Sequence, residues 1–168
     1  MNVAIITVSD TVASGERQDA SGPAVAARCQ ELKFTVESTH TLPDDPAQIR
    51  SLLSKLADAQ NIDVILTTGG TGIGPRDCTP EATQAIAERL VPGMAEEMRR
   101  KGLAHTPRAI LSRGVAAIRG STLILNLPGS PKGAVECLGF VAGAIPHAID
   151  LLRGESGDHG VKKPAEAA

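Results

Sequence analysis

The sequence predicts an α/β fold: a mostly parallel, doubly wound sheet between two helical layers, with an antiparallel hairpin at one edge. Three observations carry this reading. Strand-like runs alternate with helix-like stretches along the chain. Val3–Val8 and the Val64-Ile65-Leu66 centre of Asp63–Thr68 are solidly apolar, as strands buried on both faces are. Val115–Leu127 breaks at Arg119-Gly120, the signature of a hairpin. Buried strands alternating with helices select a parallel sheet covered on both sides.

After the first strand, Ser9 to Ser21 reads as a polar loop. Ser21 is placed to cap a helix carrying Pro23 in its first turn and Val25, Cys29 and Leu32 on one side. Thr35–Leu42 alternates with polar residues, so it belongs near an edge. Asp45-Pro46 opens a helix that runs to Ala59, and Asp63–Thr68 follows as the third strand. Thr79-Pro80 opens the next helix, with Glu81 favourable to its dipole. Pro92-Gly93 ends that segment and Met94–Leu103 is helical. Pro131 begins the last helix, which reaches about Leu152 with a kink near Pro146. Residues 1–153 form one domain, and 154–168 have the Gly, Lys, Pro and Ala composition of a flexible tail.

Composition excludes several functions. A net charge of −2 argues against a nucleic-acid or membrane coat. With two Phe and no Trp or Tyr there is no platform for stacking bases. Cys29, Cys78 and Cys137 are odd in number and widely spaced, which indicates neither a zinc ribbon nor a disulfide framework. The N-terminus lacks a basic region, and no run approaches the ~20 apolar residues that span a bilayer. The expectation is a reduced, cytoplasmic protein.

The informative stretch is TTGGTGIGPRDCTPEAT, residues 67–83. Its spacing fits neither a Walker loop, which needs Lys and Ser/Thr where Pro75-Arg76 stand, nor the dinucleotide fingerprint, which follows a first strand. Yet glycines at a strand end let backbone amides approach an anion, and the helix start at Thr79 adds a positive dipole end. Arg76 supplies a planar fork of donors. The arrangement recurs at Asn126–Leu138, where a strand ends in Gly129, Ser130 caps, Pro131 opens the helix and Lys132 lies in its first turn. Ser112-Arg113-Gly114 is a third candidate. These are either anion-binding loops or tight, well-capped turns.

Asp10, Asp44 and Asp77 lie at expected strand ends or just beyond. Phosphoryl chemistry uses such carboxylates to hold Mg²⁺, although capping and loop bracing use them too. His40, His105, His147 and His159 lack ligand spacing, and Gly129-Ser130 is not a serine-hydrolase elbow.

Taken together, ITVSDT, LPDD, TTGGTG with PRD and TPEAT, ILSR, and IRGSTLILNLPGSPKG resemble the molybdopterin adenylyltransferases of the MoaB/Mog family, with the gephyrin N-terminal domain as a relative. The resemblance runs from Val3 to about Gly154. It implies a three-layer α/β/α sandwich, commonly a trimer, that uses Mg-ATP to place AMP on the terminal phosphate of molybdopterin and releases pyrophosphate. A separate protein would then insert molybdate. On this resemblance Asp44 and Asp77 match the two important aspartates, with Asp77 the candidate Mg²⁺ ligand. Gly69, Gly70, Thr71 and Gly72, and the loop through Gly129, Ser130, Pro131 and Lys132, match the surroundings of ATP and pterin. Ser9, Asp10, Ser112 and Arg113 match further motif positions, and Arg76 joins them as a substrate contact. Two rivals share the pattern: a CinA-like nucleotide pyrophosphatase, usually with paired aspartates after the glycines, and a non-catalytic pterin-binding scaffold. Either loop could take the adenine and the other the pterin.

Overall fold

A computed structural model describes residues 1–59 and 61–155. The expected tail therefore lies, from residue 156 on, outside the described residues. The elements are β1 (Asn2–Val8), α1 (Asp10–Ala13), α2 (Ser21–Glu31), β2 (Thr35–Leu42), α3 (Pro46–Asp58), β3 (Val64–Thr68), α4 (Thr79–Ile86), β4 (Arg89–Leu90), α5 (Pro92–Gly102), β5 (Ala116–Arg119), β6 (Thr122–Leu127), α6 (Pro131–Val141) and α7 (Ile145–Arg153). Short 3-10 turns occupy Pro107–Leu111 and Ala142–Ala144.

The sheet order is β2-β1-β3-β6-β5-β4. Strands β2, β1, β3 and β6 run parallel, while β5 and β4 pair antiparallel at one edge. Period-two alternation sorts the strands' side chains into two cores. Val3 and Ile5 of β1, Leu66 of β3 and Leu125 of β6 join Val25, Met98, Leu138 and Ile149 from α2, α5, α6 and α7. Ala4 and Ile6 of β1, Ile65 of β3 and Ile124 of β6 face the other way, onto Ile49 and Leu53 of α3 and Ala82 of α4. Every residue of β3 and β6 is buried, which explains the apolar runs Val64-Ile65-Leu66 and Leu123-Ile124-Leu125 at their centres. β2 alternates between exposed and half-buried positions, as an edge strand does.

Local signals behave as their chemistry dictates, with three corrections. Asp45 caps α3, accepting from the amides of Ala47 (2.8 Å) and Gln48 (3.1 Å). Ser21 does not cap α2; Asp19 does that work, its Oδ1 accepting from the amides of Ser21 and Gly22 at 3.0 Å each. Ser21 is instead the first helical residue. The loop expected from Ser9 to Ser21 contains the one-turn helix α1, capped by Ser9. The third correction concerns the C-terminal helical stretch. Pro131–Arg153 is long enough, at 23 residues and mean hydropathy 1.5, to span a bilayer. Its apolar character has a core explanation, because Ala134, Leu138, Val141, Ile145 and Ile149 form one buried stripe. The expected kink falls at Ala142–Ala144, just before Pro146.

Chain order places the ligand crevice. β1 connects to β2 on one side, and β3 then lies on the other side of β1. The winding therefore reverses between the C-terminal ends of β1 and β3, where such sheets bind ligands. Ser9 and Asp10 follow β1, Asp44 follows β2, the glycine loop follows β3, and Pro128-Gly129 follows β6.

Candidate active site

The glycine loop is held from beneath by its carbonyls. Gly69 O accepts from the Thr79 hydroxyl (2.9 Å), and Gly70 O from the Thr79 amide (3.1 Å). Thr71 O accepts from the Arg113 amide (2.9 Å), and Gly72 O from Arg113 Nε (2.5 Å). With four successive carbonyls drawn inward, the peptide planes turn their N–H groups the other way. The Gly69 amide is taken by Leu127 O (3.2 Å) and that of Gly74 by Asp77 Oδ2 (2.7 Å). Those of Gly70, Thr71 and Gly72 donate to no acceptor among the described residues. Consecutive free amides of this kind form an anion-binding concavity.

Glycine is required here on two counts. Gly69 and Gly70 have φ of +103° and +62°. A Cβ on Gly69 would collide with Val8 O, and one on Gly70 would collide with Thr79 Oγ1 and lie 2.9 Å from Asp44 Oδ1. A Cβ on Gly72 would lie 2.9 Å from Asp77 Oδ2. These two distances also place the expected aspartates, since Asp44 and Asp77 stand against neighbouring residues of one loop.

Asp44 is tied to α1 by a reciprocal pair. Its carboxylate accepts from the Asp10 amide (3.1 Å), and its own amide donates to Asp10 Oδ1 (3.0 Å). Arg76 closes on both oxygens of Asp10, through Nε and an Nη at 3.0 Å each. That contact holds the exposed Asp10 carboxyl below the usual aspartate range. Asp44 moves the opposite way. Burial raises its pKa, and the Asp10 and Asp77 charges add to the effect against the hydrogen bond from Asp10. The acidic rim thus brings the carboxylates of Asp10, Asp44 and Asp77 together, with the guanidinium of Arg76 paired to Asp10.

The remaining expected residues divide by position. Ser9 caps α1 (Val12 amide, 3.4 Å) and receives Arg17 at 3.3 Å, on the rim side. Gly129 packs on the glycine loop, where a Cβ would lie 3.2 Å from Gly69 Cα. Ser130 caps α6 through the Gly133 amide (3.2 Å), Pro131 occupies that helix's first position, and Lys132 projects into solvent. Ser112 Oγ accepts from the Gly114 amide (3.3 Å). The Arg113 side chain is committed to the protein: besides Gly72 O it bonds Asp77 O (2.9 Å) and pairs with Glu81. Its role in this arrangement is to shape the loop. Thr79, expected as a cap, spends its hydroxyl on the loop instead, and Cys78 takes the cap position with no side-chain bond. Burial and the Asp44 charge push the Cys78 thiol up, which leaves it a poor nucleophile.

Sequence reasoning missed the layer underneath. Buried Asn126 donates to Thr67 Oγ1 (3.0 Å) and Thr83 Oγ1 (2.9 Å) and accepts from the Val115 amide (3.2 Å). Thr83 in turn donates to Thr79 O at 2.9 Å. This chain fastens β3, β6 and α4 under the glycines. A cavity of about 540 Å³ opens on the far side of the loop from Asp44, lined by Thr71, Gly72, Ser112, Gly129 and Ser130 together with residues of α5 and α6. The carboxylates of the rim do not line it. The glycine loop therefore separates two compartments, one acidic and one largely apolar.

Residues 4–147 match the family described as a probable molybdopterin binding domain. The chain belongs to this family. It is 40% identical over 169 residues to the molybdopterin adenylyltransferase of Escherichia coli K12, covering 92% of this chain and 86% of that protein. With the molybdopterin adenylyltransferase of Helicobacter pylori J99 it shares 39% identity over 156 residues, covering 92% and 89%. The crystal structure of the molybdopterin biosynthesis enzyme MoaB from Thermus thermophilus superposes with a TM-score of 0.86 at 52% identity, covering 91% and 96% of the two chains. That likeness confirms the α/β sandwich for this member of the molybdopterin-binding family.

Proposed function

We propose that this chain is a molybdopterin adenylyltransferase of molybdenum cofactor biosynthesis, transferring AMP from ATP to the terminal phosphate of molybdopterin. The observation that carries the proposal is the loop itself: free amides at Gly70, Thr71 and Gly72, flanked by Asp44 and Asp77. The difficulty of the reaction is bringing a phosphate monoester against a triphosphate. Aligned amides and the N-terminus of α4 stabilise that concentration of negative charge and orient the groups. An oxygen of the molybdopterin phosphate bonds to the α-phosphorus, the bond from that phosphorus to the β-bridging oxygen breaks, and pyrophosphate leaves with the electron pair. No protein nucleophile is involved, consistent with the raised thiol of Cys78.

The rim fits a divalent cation. Asp44 is crowded by the Asp10 and Asp77 charges, which a cation would relieve. Among the described residues no cluster of three or more His, Cys, Asp or Glu forms a metal cage. Mg²⁺ does not require one, since it is commonly held by one or two carboxylates together with substrate phosphates. Asp77 and Asp44 would hold it, and bound there it would neutralise phosphate oxygens. Arg76 keeps Asp10 paired and adds positive charge at the mouth.

We read the protein further as a cytoplasmic homotrimer that passes its product to a molybdate-inserting protein. Three free cysteines and the exposed apolar side chains of Ile73 and Ile110 support the compartment and the self-association. The test of function is incubation with molybdopterin, ATP and Mg²⁺ followed by mass analysis. The AMP ester and pyrophosphate are expected, whereas bound pterin with no ester would mark a scaffold.

A further inference from the structure

Asp44 and Asp77 reach the glycine loop from different strands, and their relative placement needs a physical cause. We infer that Arg76 and Asp10 form a positioning clasp across the crevice, which fixes Asp44 relative to Asp77 and acts on AMP transfer through those two residues. The inference rests on the adenylyltransferase reading above.

The need for a clasp begins with α1. This helix is a single turn of four residues, none of them buried. So short a helix gains little from its own hydrogen bonds, and with no buried face it must be held from outside. Yet its first residue orients Asp44. Among the described residues, the Asp10 amide is the one hydrogen-bond donor to the Asp44 carboxylate. The aim of that carboxylate is therefore only as firm as the placement of α1.

The outside hold is Arg76. Its Nε and one Nη meet the two oxygens of Asp10 at 3.0 Å each. Asp10 Oδ1 also accepts from the Asp44 amide (3.0 Å). At its other end Arg76 has a firm mount. It lies in the turn from Gly74 to Asp77, closed by the Gly74 amide on Asp77 Oδ2 (2.7 Å) and by the Asp77 amide on Gly74 O (3.1 Å). Arg113 pins the same turn through Asp77 O (2.9 Å). An unbroken connection thus runs from Asp77 through Arg76 and Asp10 to Asp44, joining the loop after β3 to those after β1 and β2.

The chemistry of the two side chains agrees. The resemblance places both among the substrate contacts, but an ionised carboxylate only accepts hydrogen bonds and repels phosphate. Asp10 has a use beside an anion site when Arg76 neutralises it and the pair faces the protein. The guanidinium suits this task because its planar fork meets both carboxylate oxygens at once and so fixes direction, which a lysine ammonium does not.

The test is Arg76→Lys, which keeps the charge and loses the fork, with Asp10→Asn as the matching change on the other side. Each should lower kcat for AMP transfer about tenfold, with KM for ATP and for molybdopterin within about twofold of wild type. The double variant should lose no more than either single one, and in an Asp44→Asn background Arg76→Lys should change the rate by less than about twofold. Hydrogen exchange at the Asp10 amide should speed up about tenfold in Arg76→Lys. The pair is exposed, at 67% and 43% of the two side chains, so melting temperatures should stay within about 3 °C of wild type. A raised KM with kcat intact, full activity in Arg76→Lys, an undiminished loss in the Asp44→Asn background, or Asp10 amide exchange at the wild-type rate overturns the clasp. A wild-type protein that makes no AMP ester overturns the functional reading itself, and this inference with it.

Discussion

At the scale of single residues, the proposed chemistry rests on Asp44 and Asp77. Replacing either with Ala should lower the rate of AMP transfer about a hundredfold or more, the effect of losing one preorganised group. Steady-state turnover decides this, and an undiminished rate in Asp77→Ala would remove it from the mechanism. Asp44 also has a signature in stability. Burial, together with the Asp10 and Asp77 charges, raises its pKa above the 3.8 of an unperturbed aspartate, so folding favours the protonated form. Its contribution is full below that value and is lost as pH rises through the raised one. Ionised Asp44 therefore opposes folding at neutral pH, and Asp44→Asn should melt above wild type at pH 7 while losing activity. The gap should close as pH falls below 3.8, a trend that thermal melts across pH would reveal. The aspartates were legible in the sequence because they lie at expected strand ends or just beyond and match motif positions of the family that the sequence resembles. The partners of Arg113 were not, since Gly72, Asp77 and Glu81 lie 32 to 41 residues away in the chain and only the folded sheet brings them near.

At the scale of elements, the glycine loop takes a backbone that residues with a side chain resist. Gly70→Ala would drive a Cβ into Thr79 Oγ1 at a φ of +62°. The strain and the displaced Asp44 should cost about 1–3 kcal/mol of stability and most of the activity. Denaturant titration with a parallel assay measures both, and wild-type behaviour would show that the loop tolerates a side chain. The layer below is as demanding. Asn126→Ala leaves the Thr67 and Thr83 hydroxyls and the Val115 amide without their buried partner. A loss of about 1–3 kcal/mol per stranded group is expected in the same titration. Elements whose signal is local were readable: the strands from burial on both faces, α3 from Asp45-Pro46, α6 from Ser130-Pro131. Elements set by distant contacts were not. The two residues of β4 form a strand only because β5 offers them a partner, and Thr79 reads as a cap until Gly69 O takes its hydroxyl.

Across the whole molecule, the sheet collects four parallel strand ends and puts a loop from each major connection on one edge. Ligands that bind only this folded edge should stabilise the entire domain. A hundredfold excess of Mg-ATP over its Kd contributes about 2.7 kcal/mol, or roughly 5–10 °C in Tm for a domain of this size. ATP with a chelator in place of Mg²⁺ should give much less. The proposed trimer should appear in light scattering at three times the 17.3 kDa chain mass, and a monomer would contradict it. The fold class was visible from the alternation of strands and helices. The two-compartment plan was not, because the cavity forms between α5 and α6 from residues spread between Thr71 and Phe140. The central claim, that free amides at Gly70–Gly72 and the carboxylates beside them hold the reacting phosphates, is tested most directly by a crystal structure with Mg²⁺ and a non-hydrolysable ATP analogue. The α-phosphate should rest on those amides with Asp44 and Asp77 facing it; a triphosphate lodged away from the loop, with the two aspartates uninvolved, would contradict the account.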